Sequence, residues 1–227
     1  MVDRDALYRS EVPDQAYFSE DPDEEEEEEE EPGEGCQGHR ESNAEDRNGL
    51  DHLRKTRTLF ISEEVSSRLS RRIIPQILWL DWTSHDPIRV FINTPGGTAD
   101  DGFAIHDILR FVKAPVYTIA TGLTASAGTI ILLATSRERR LTLPNSRIMI
   151  HQPAGGAQGR ASDIEITARE IVRLRGRANA LIAKECGRSL TQVEADTNRD
   201  NWMSPEEACA YGLCARIVRA ADEIVKP

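Results

Sequence analysis

Apolar positions change their period from one segment of this chain to the next. Ile88, Val90 and Ile92 alternate with Arg89, Phe91 and Asn93, the spacing of a strand whose two faces meet different surroundings. Residues 99–112 instead carry Phe103, Ile105, Ile108 and Leu109 at helical spacing, and residues 115–120 return to an apolar run, a second strand. The same reading gives a strand at 59–61 and a helix that starts on a Ser62 cap and runs to about Leu80, kinked at Pro75. Gly122 opens a tight connection, 125–135 reads as a buried helix, and 141–143 and 148–150 read as strands. The clearest helix is 163–185, with Ser162 and Glu165 at capping-box spacing and Gly187 at the stop. Ser189 with Gln192 starts a shorter helix, and Ser204 with Pro205 and Glu207 starts another that Gly212 ends. Strands alternating with helices make an α/β domain, and no solenoid repeat appears.

Before residue 51 that pattern is missing, and charge explains why. The first 50 residues hold 19 of the 39 acidic residues and 4 of the 28 basic ones, including the glutamate run from Glu24 to Glu31. Self-repulsion and scarce apolar residues predict a disordered acidic tail or propeptide over 1–50. The remaining 177 residues, a domain at 51–227, carry a net charge of +4 and suffice for one core. Because both signs are interspersed on its helices, no nucleic-acid partner is expected. No apolar run of about 18 residues is present and the first 30 residues lack a secretory pattern, so no membrane association and a cytoplasmic location are expected. Cys36, Cys186, Cys209 and Cys214 form no CxxC pair and no zinc spacing, so they read as reduced thiols; no metal and no organic cofactor is expected.

A hydrolytic serine needs an exposed hydroxyl at a strand-to-helix junction, a base and backbone donors for the oxyanion. Ser126 follows an apolar strand and opens a helix whose N-terminus favours negative charge; small neighbours leave room beside it. The plainer alternative is a helix cap. His39 and His52 lie in or near the tail, His85 in a loop and His106 on the polar side of a helix, whereas His151 ends the strand 148–150 where clefts form. An ordinary hydrogen-bonded role stays open for it. Asp200, in the loop between two capped helices, is either an orienting carboxylate or a solvated one. Gly96 and Gly97 offer sparsely covered backbone N–H groups, or a plain turn.

Four stretches then carry a resemblance: Phe91-Ile-Asn-Thr-Pro-Gly-Gly97, Thr124-Ala-Ser-Ala-Gly128, Leu143-Pro-Asn-Ser-Arg-Ile-Met-Ile-His-Gln-Pro153 and Asp196-Thr-Asn-Arg-Asp200. In order and spacing, residues 91–218 closely resemble the proteolytic subunit of the Clp protease (ClpP), a family of self-compartmentalised serine endopeptidases. The resemblance implies a ClpP/crotonase-like fold of repeated β-β-α units with a protruding strand-helix handle. It implies Ser126 as nucleophile, His151 as general base, Asp200 as the carboxylate orienting it, and the N–H groups of Gly97 and Ala127 as the oxyanion hole. A glycine-rich strand at 155–159 and the long helix after it would be the handle joining two stacked heptameric rings, a homo-oligomer. Arg199 resembles the residue that couples ring contact to the site. Unfolded polypeptides are the implied substrates and an AAA+ Clp ATPase the implied partner, docking near Phe91, Phe111, Leu141 and Leu143. Departures from the pattern are Arg89 where an aromatic residue is common, Thr94 for serine, Ala127 for methionine, and the acidic tail in place of an N-terminal hairpin. Two other readings stand beside this one: a noncatalytic structural subunit of a mixed Clp ring, and a crotonase-type acyl-CoA enzyme. The latter shares the fold and oxyanion hole but needs no Ser-His-Asp set at this spacing.

Overall fold

Along β2 (Ile88–Thr94) the alternation seen in the sequence becomes an alternation in burial: Ile88, Val90, Ile92 and Thr94 are buried, and the residues between them are partly or fully open. β2 sits between β1 (Thr58–Ile61) and β3 (Val116–Ala125), parallel to both. The computed structural model describes Leu53 and residues 55–225; the acidic segment 1–50, and with it Cys36 and His39, lies outside the described residues, as does His52. Within them a seven-stranded sheet runs β1-β2-β3-β4-β7, where β4 is Arg140–Thr142 and β7 is Arg216–Ile217. Strands joined in this way need crossover helices, which the chain supplies: α1 (Ser67–Thr83) precedes β2 and α2 (Ala99–Phe111) precedes β3.

The sheet has two unequal faces. One carries Ile61, Val90, Ile92 and Val116, which pack in the main core with Leu69, Ile73, Ile77 and Leu80 of α1 and Ile105 and Leu109 of α2. The α1 residues recur every three or four positions, the stripe that an amphipathic helix buries. On the opposite face a smaller cluster gathers Ile119, Leu141, Val218 and Ile224, flanked by half-buried Phe91, Tyr117 and Leu143. Phe60 stacks on Phe91 there, with ring centroids 5.2 Å apart.

β3 forks. Its first half pairs with β4 and its last three residues with β5 (Arg147–Ile150), which in turn carries the antiparallel β6 (Asn201–Met203). The fork is made by a bulge: Ile92 faces Ala120 but Thr94 faces Thr124, so β3 holds two extra residues against β2. Gly122, at φ +54°, lies in that bulge, and a Cβ on it would stand 2.7 Å from Asn93 Oδ1. The Asn93 oxygen instead accepts the Leu123 N–H at 2.9 Å. Gly122 therefore bends a continuous strand and does not open a connection between elements; both extended residues and a left-handed glycine suit a bulge as well as a turn.

Other boundaries move for local reasons. α1 is capped by Ser66, whose hydroxyl accepts from Leu69 N–H, and not by Ser62. Val65 is held extended by a parallel bridge to Gly97, so no helix can begin before it. Pro75 lies within α1, which continues beyond it to Thr83. α3 (Ala127–Leu132) is shorter than its apolar run. α4 (Ala161–Cys186) starts ahead of the Ser162 box, and Glu165 pairs with Arg169 at 3.0 Å instead; Gly187 ends the helix at φ +66°, as expected. Residues 155–159, expected as a strand, form none, because among the described residues no strand lies beside them. α5 (Leu190–Asp196) and α6 (Pro205–Tyr211) carry the anticipated serine caps, and Ser204 with Glu207 completes a full capping box. His106 is buried, not on a polar face. Its Nδ1 meets Asp107 at 2.9 Å and its ring lies edge-on to Phe103.

Candidate active site

Ser126 joins β3 to α3 with φ +55° and ψ −120°, a backbone state that costs a side-chain-bearing residue about 1–3 kcal/mol. Its surroundings enforce it. The Ser126 N–H donates to the Met149 carbonyl at 3.0 Å, and Gly96 packs so closely beneath that a Cβ there would lie 2.6 Å from Ser126 Cβ. Thr129, buried in α3, donates its hydroxyl to the same Met149 carbonyl at 2.9 Å and ties the helix to β5. Thr129 went unsingled in the sequence, although a polar residue inside an apolar helical run is the available signal. Ser126 does not cap α3 through its side chain. Its Oγ lies 2.8 Å from His151 Nε2.

Strand register brings the three side chains together. Ala125 is level with Met149 in the parallel β3–β5 pair, so the residues just past both strand ends, Ser126 and His151, emerge at one edge. β6 runs antiparallel on β5 with Ile150 opposite Asn201, so one step further along sets His151 opposite Asp200. The measured result is His151 Nδ1 at 3.0 Å from Asp200 Oδ1. A carboxylate only accepts, so Nδ1 carries the proton and Nε2 is left as an acceptor for the Ser126 hydroxyl. His151 keeps 23% of its side chain exposed and Asp200 59%. Downstream, Gln152 N–H donates to the Thr197 carbonyl at 2.6 Å, and the Thr197 hydroxyl donates to buried Asn179 Oδ1 at 3.0 Å, fixing the loop that carries Asp200. Arg199, next to it, is exposed.

Gly97, at φ +143°, completes the arrangement. Val65 bonds to Gly96 and Thr98 on either side of it, which turns the Gly97 N–H away from Val65, because successive amides of an extended segment point to opposite sides. A Cβ at Gly97 would come within 2.2 Å of the Val65 carbonyl, so only glycine fits. The Ala127 N–H is the first of α3 and has no intrahelical acceptor. Gly97, Ser126, Ala127 and His151 all line one cavity of about 480 Å³, whose apolar side includes Ile130, Leu174 and Ile182. A hydroxyl, an imidazole nitrogen and two backbone N–H groups thus face one cavity. Among the described residues no group of three His, Cys, Asp or Glu side chains is arranged to hold a metal. No helix of theirs is long and apolar enough to cross a membrane. Cys186, Cys209 and Cys214 are free thiols, and burial pushes Cys186 up to about 11.

A family model for Clp protease matches residues 41–221. The chain belongs to the Clp protease family. It is 44% identical over 173 residues to the ATP-dependent Clp protease proteolytic subunit 3 of Rhizobium johnstonii, covering 76% of this chain and 89% of that one. To proteolytic subunit 2 of Treponema denticola it is 46% identical over 170 residues, 74% of this chain and 85% of the relative. Among solved structures, a ClpP1 mutant from Listeria monocytogenes superposes with a TM-score of 0.72 at 44% identity, covering 77% of this chain and 98% of that one. Sheet and helices match that Clp protease fold, the α/β architecture with its long helix that the motifs imply.

Proposed function

We propose that this chain is a catalytic serine endopeptidase subunit of a Clp-type protease, hydrolysing peptide bonds of unfolded polypeptides, with Ser126, His151 and Asp200 as its triad. The observation that carries the reading is the unbroken relay from Asp200 Oδ1 through both His151 nitrogens to Ser126 Oγ, at 3.0 and 2.8 Å. Ser126 Oγ attacks the scissile carbonyl while His151 Nε2 takes its proton. Asp200 holds the imidazole in the required tautomer and stabilises the imidazolium. The Gly97 and Ala127 N–H groups receive the oxyanion. Collapse passes the proton to the leaving amine and leaves an acyl-enzyme, which a water activated by His151 hydrolyses. The helix N-terminus beside Ser126 favours the negative charge that develops.

A filled triad favours the catalytic subunit over a structural one. Hydrolysis of a fluorogenic peptide should fall at least a thousand-fold in Ser126→Ala. Unchanged hydrolysis in that variant refutes the assignment. Membership of the Clp protease family supports assembly into two stacked heptameric rings in the cytoplasm, and the exposed Phe60 and Phe111 with the half-buried Phe91 and Leu143 support docking of an AAA+ Clp ATPase. Native mass measurement tests it, and a fully active monomer contradicts it. We further assign residues 1–50 to an acidic tail outside the peptidase domain 51–227, testable by intact mass of the mature chain.

A further inference from the structure

The Asp200 loop is fastened on both sides, and unequally. Upstream, Thr197 is tied to Gln152 and Asn179 by hydrogen bonds. Downstream, among the described residues, the loop runs into β6, three residues at the sheet edge paired with β5 and anchored at the far end by buried Met203. Asp200 itself is too exposed for packing to hold it in place. On β6 the middle residue, Trp202, is 44% exposed, and the Arg147 guanidinium lies over one face of its ring, 4.4 Å from the centroid. Met149 lies directly opposite Trp202, so Arg147, two residues before it, sits diagonally across the same face of the strand pair. This stack crosses from the strand that delivers His151 to the strand that Asp200 leads into.

We propose that Arg147 is a positioning residue, which by stacking on Trp202 holds β6 in register on β5 and so keeps Asp200 against His151 Nδ1. The inference rests on the reading of Ser126, His151 and Asp200 as the reacting set. A one-residue slip of β6 would turn its side chains to the other face and carry Asp200 off the imidazole. Arg147 does not line the substrate cavity, so its effect falls on turnover and not on substrate capture.

The test is made on the full chain with a fluorogenic peptide, using Arg147→Gln, Trp202→Leu, Asp200→Asn and the double variant Arg147→Gln/Asp200→Asn. An exposed cation–π stack of this kind changes an opening equilibrium by roughly two- to five-fold. Amide exchange at residues 201–203 should therefore accelerate by about that factor in Arg147→Gln and Trp202→Leu, with kcat lowered and KM unchanged. Arg147→Lys and Trp202→Phe, which keep the cation and the ring, should restore most of the loss. In the Asp200→Asn background Arg147→Gln should cost nothing more, because the group it positions is already disabled. A full kcat in Arg147→Gln, or a loss that persists undiminished beside Asp200→Asn, overturns the proposal. Unimpaired hydrolysis in Asp200→Asn alone overturns instead the triad reading on which it depends.

Discussion

Replacing Gly96 by alanine tests how tightly the fold determines the geometry at Ser126. Gly96 has φ +99°, where an added side chain costs about 1–2 kcal/mol. The new Cβ would stand 2.6 Å from Ser126 Cβ, 2.8 Å from the Ala125 carbonyl oxygen and 3.1 Å from Ala127 N. Carbon pairs prefer roughly 3.5–4.0 Å, so the overlap is about an ångström, and two of the three obstacles are backbone that no rotamer change can move. Overpacking of this sort adds about 1–3 kcal/mol. The sum, about 2–5 kcal/mol, is to be read as a shift in the urea midpoint. Relief by moving the Ser126 turn about 1 Å would break a 2.8 Å contact with His151, and a displacement of that size costs about a hundred-fold in rate. We expect Gly96→Ala to lose at least two orders of magnitude in kcat/KM on a fluorogenic peptide. A Gly96→Ala variant with unaltered midpoint and rate refutes the claim that this contact fixes the geometry at Ser126.

Three further perturbations have defined outcomes. Burial lowers the His106 pKa below its ordinary value of 6.5, a fall deepened by Arg110 and opposed by Asp107 and Glu185. The unfolded chain thus takes up the proton first, and His106 contributes a stability loss as pH falls below about 6.5; His106→Leu should flatten that part of the urea-midpoint profile, and an identical slope would exclude the effect. Arg140 is 1% exposed, with Glu185 Oε2 at 3.5 Å and Arg110 on the other oxygen at 2.9 Å. Glu185→Gln should cost about 3–5 kcal/mol in urea unfolding by leaving a buried guanidinium unpaired, more than Arg140→Met does; the reverse order would contradict it. Burial raises the thiol pKa of both Cys186 and Cys214, so in the folded chain both should resist iodoacetamide at about pH 8 and react in urea, followed by peptide mass mapping; rapid native labelling would show the core there to be open.

Much of the fold could be read from period alone. β2, α2 and the last two helices are where alternation, helical spacing and serine caps place them, because at those elements local preference and tertiary packing agree. The misplacements share one origin. Ser62 has the residue type of a cap but sits before Val65, which a strand-like bridge from Gly97 holds extended, a contact over thirty residues long that no window of sequence contains. His106 looks polar on its helix and is buried, its ring edge-on to Phe103, which packs with Ile130 and Ala178 from two other helices. Gly122 signals a bend without saying whether the strand resumes after it, and the deciding partner, Asn93, belongs to the neighbouring strand.

For the site, residue types and motif spacing singled out Ser126, His151 and Asp200, but their convergence was beyond local reading. It depends on two registers: β3 beside β5, which exists only because the Gly122 bulge lets β3 exchange one neighbour for another, and β6 antiparallel on β5. Neither pairing has a sequence signature, since β5 and β6 are four and three residues long. The plain reading of Ser126 as a helix cap was chemically reasonable and fails on one fact, that its hydroxyl faces a histidine and not the α3 amides. Positive φ makes that choice. In an extended cap the side chain turns back over the first turn of its own helix, whereas at +55° it is thrown toward β5. The strain at Ser126 is thus what separates a serine that caps its own helix from one whose hydroxyl faces an imidazole, and Gly96, lying beneath it, is the residue that lets the strain persist.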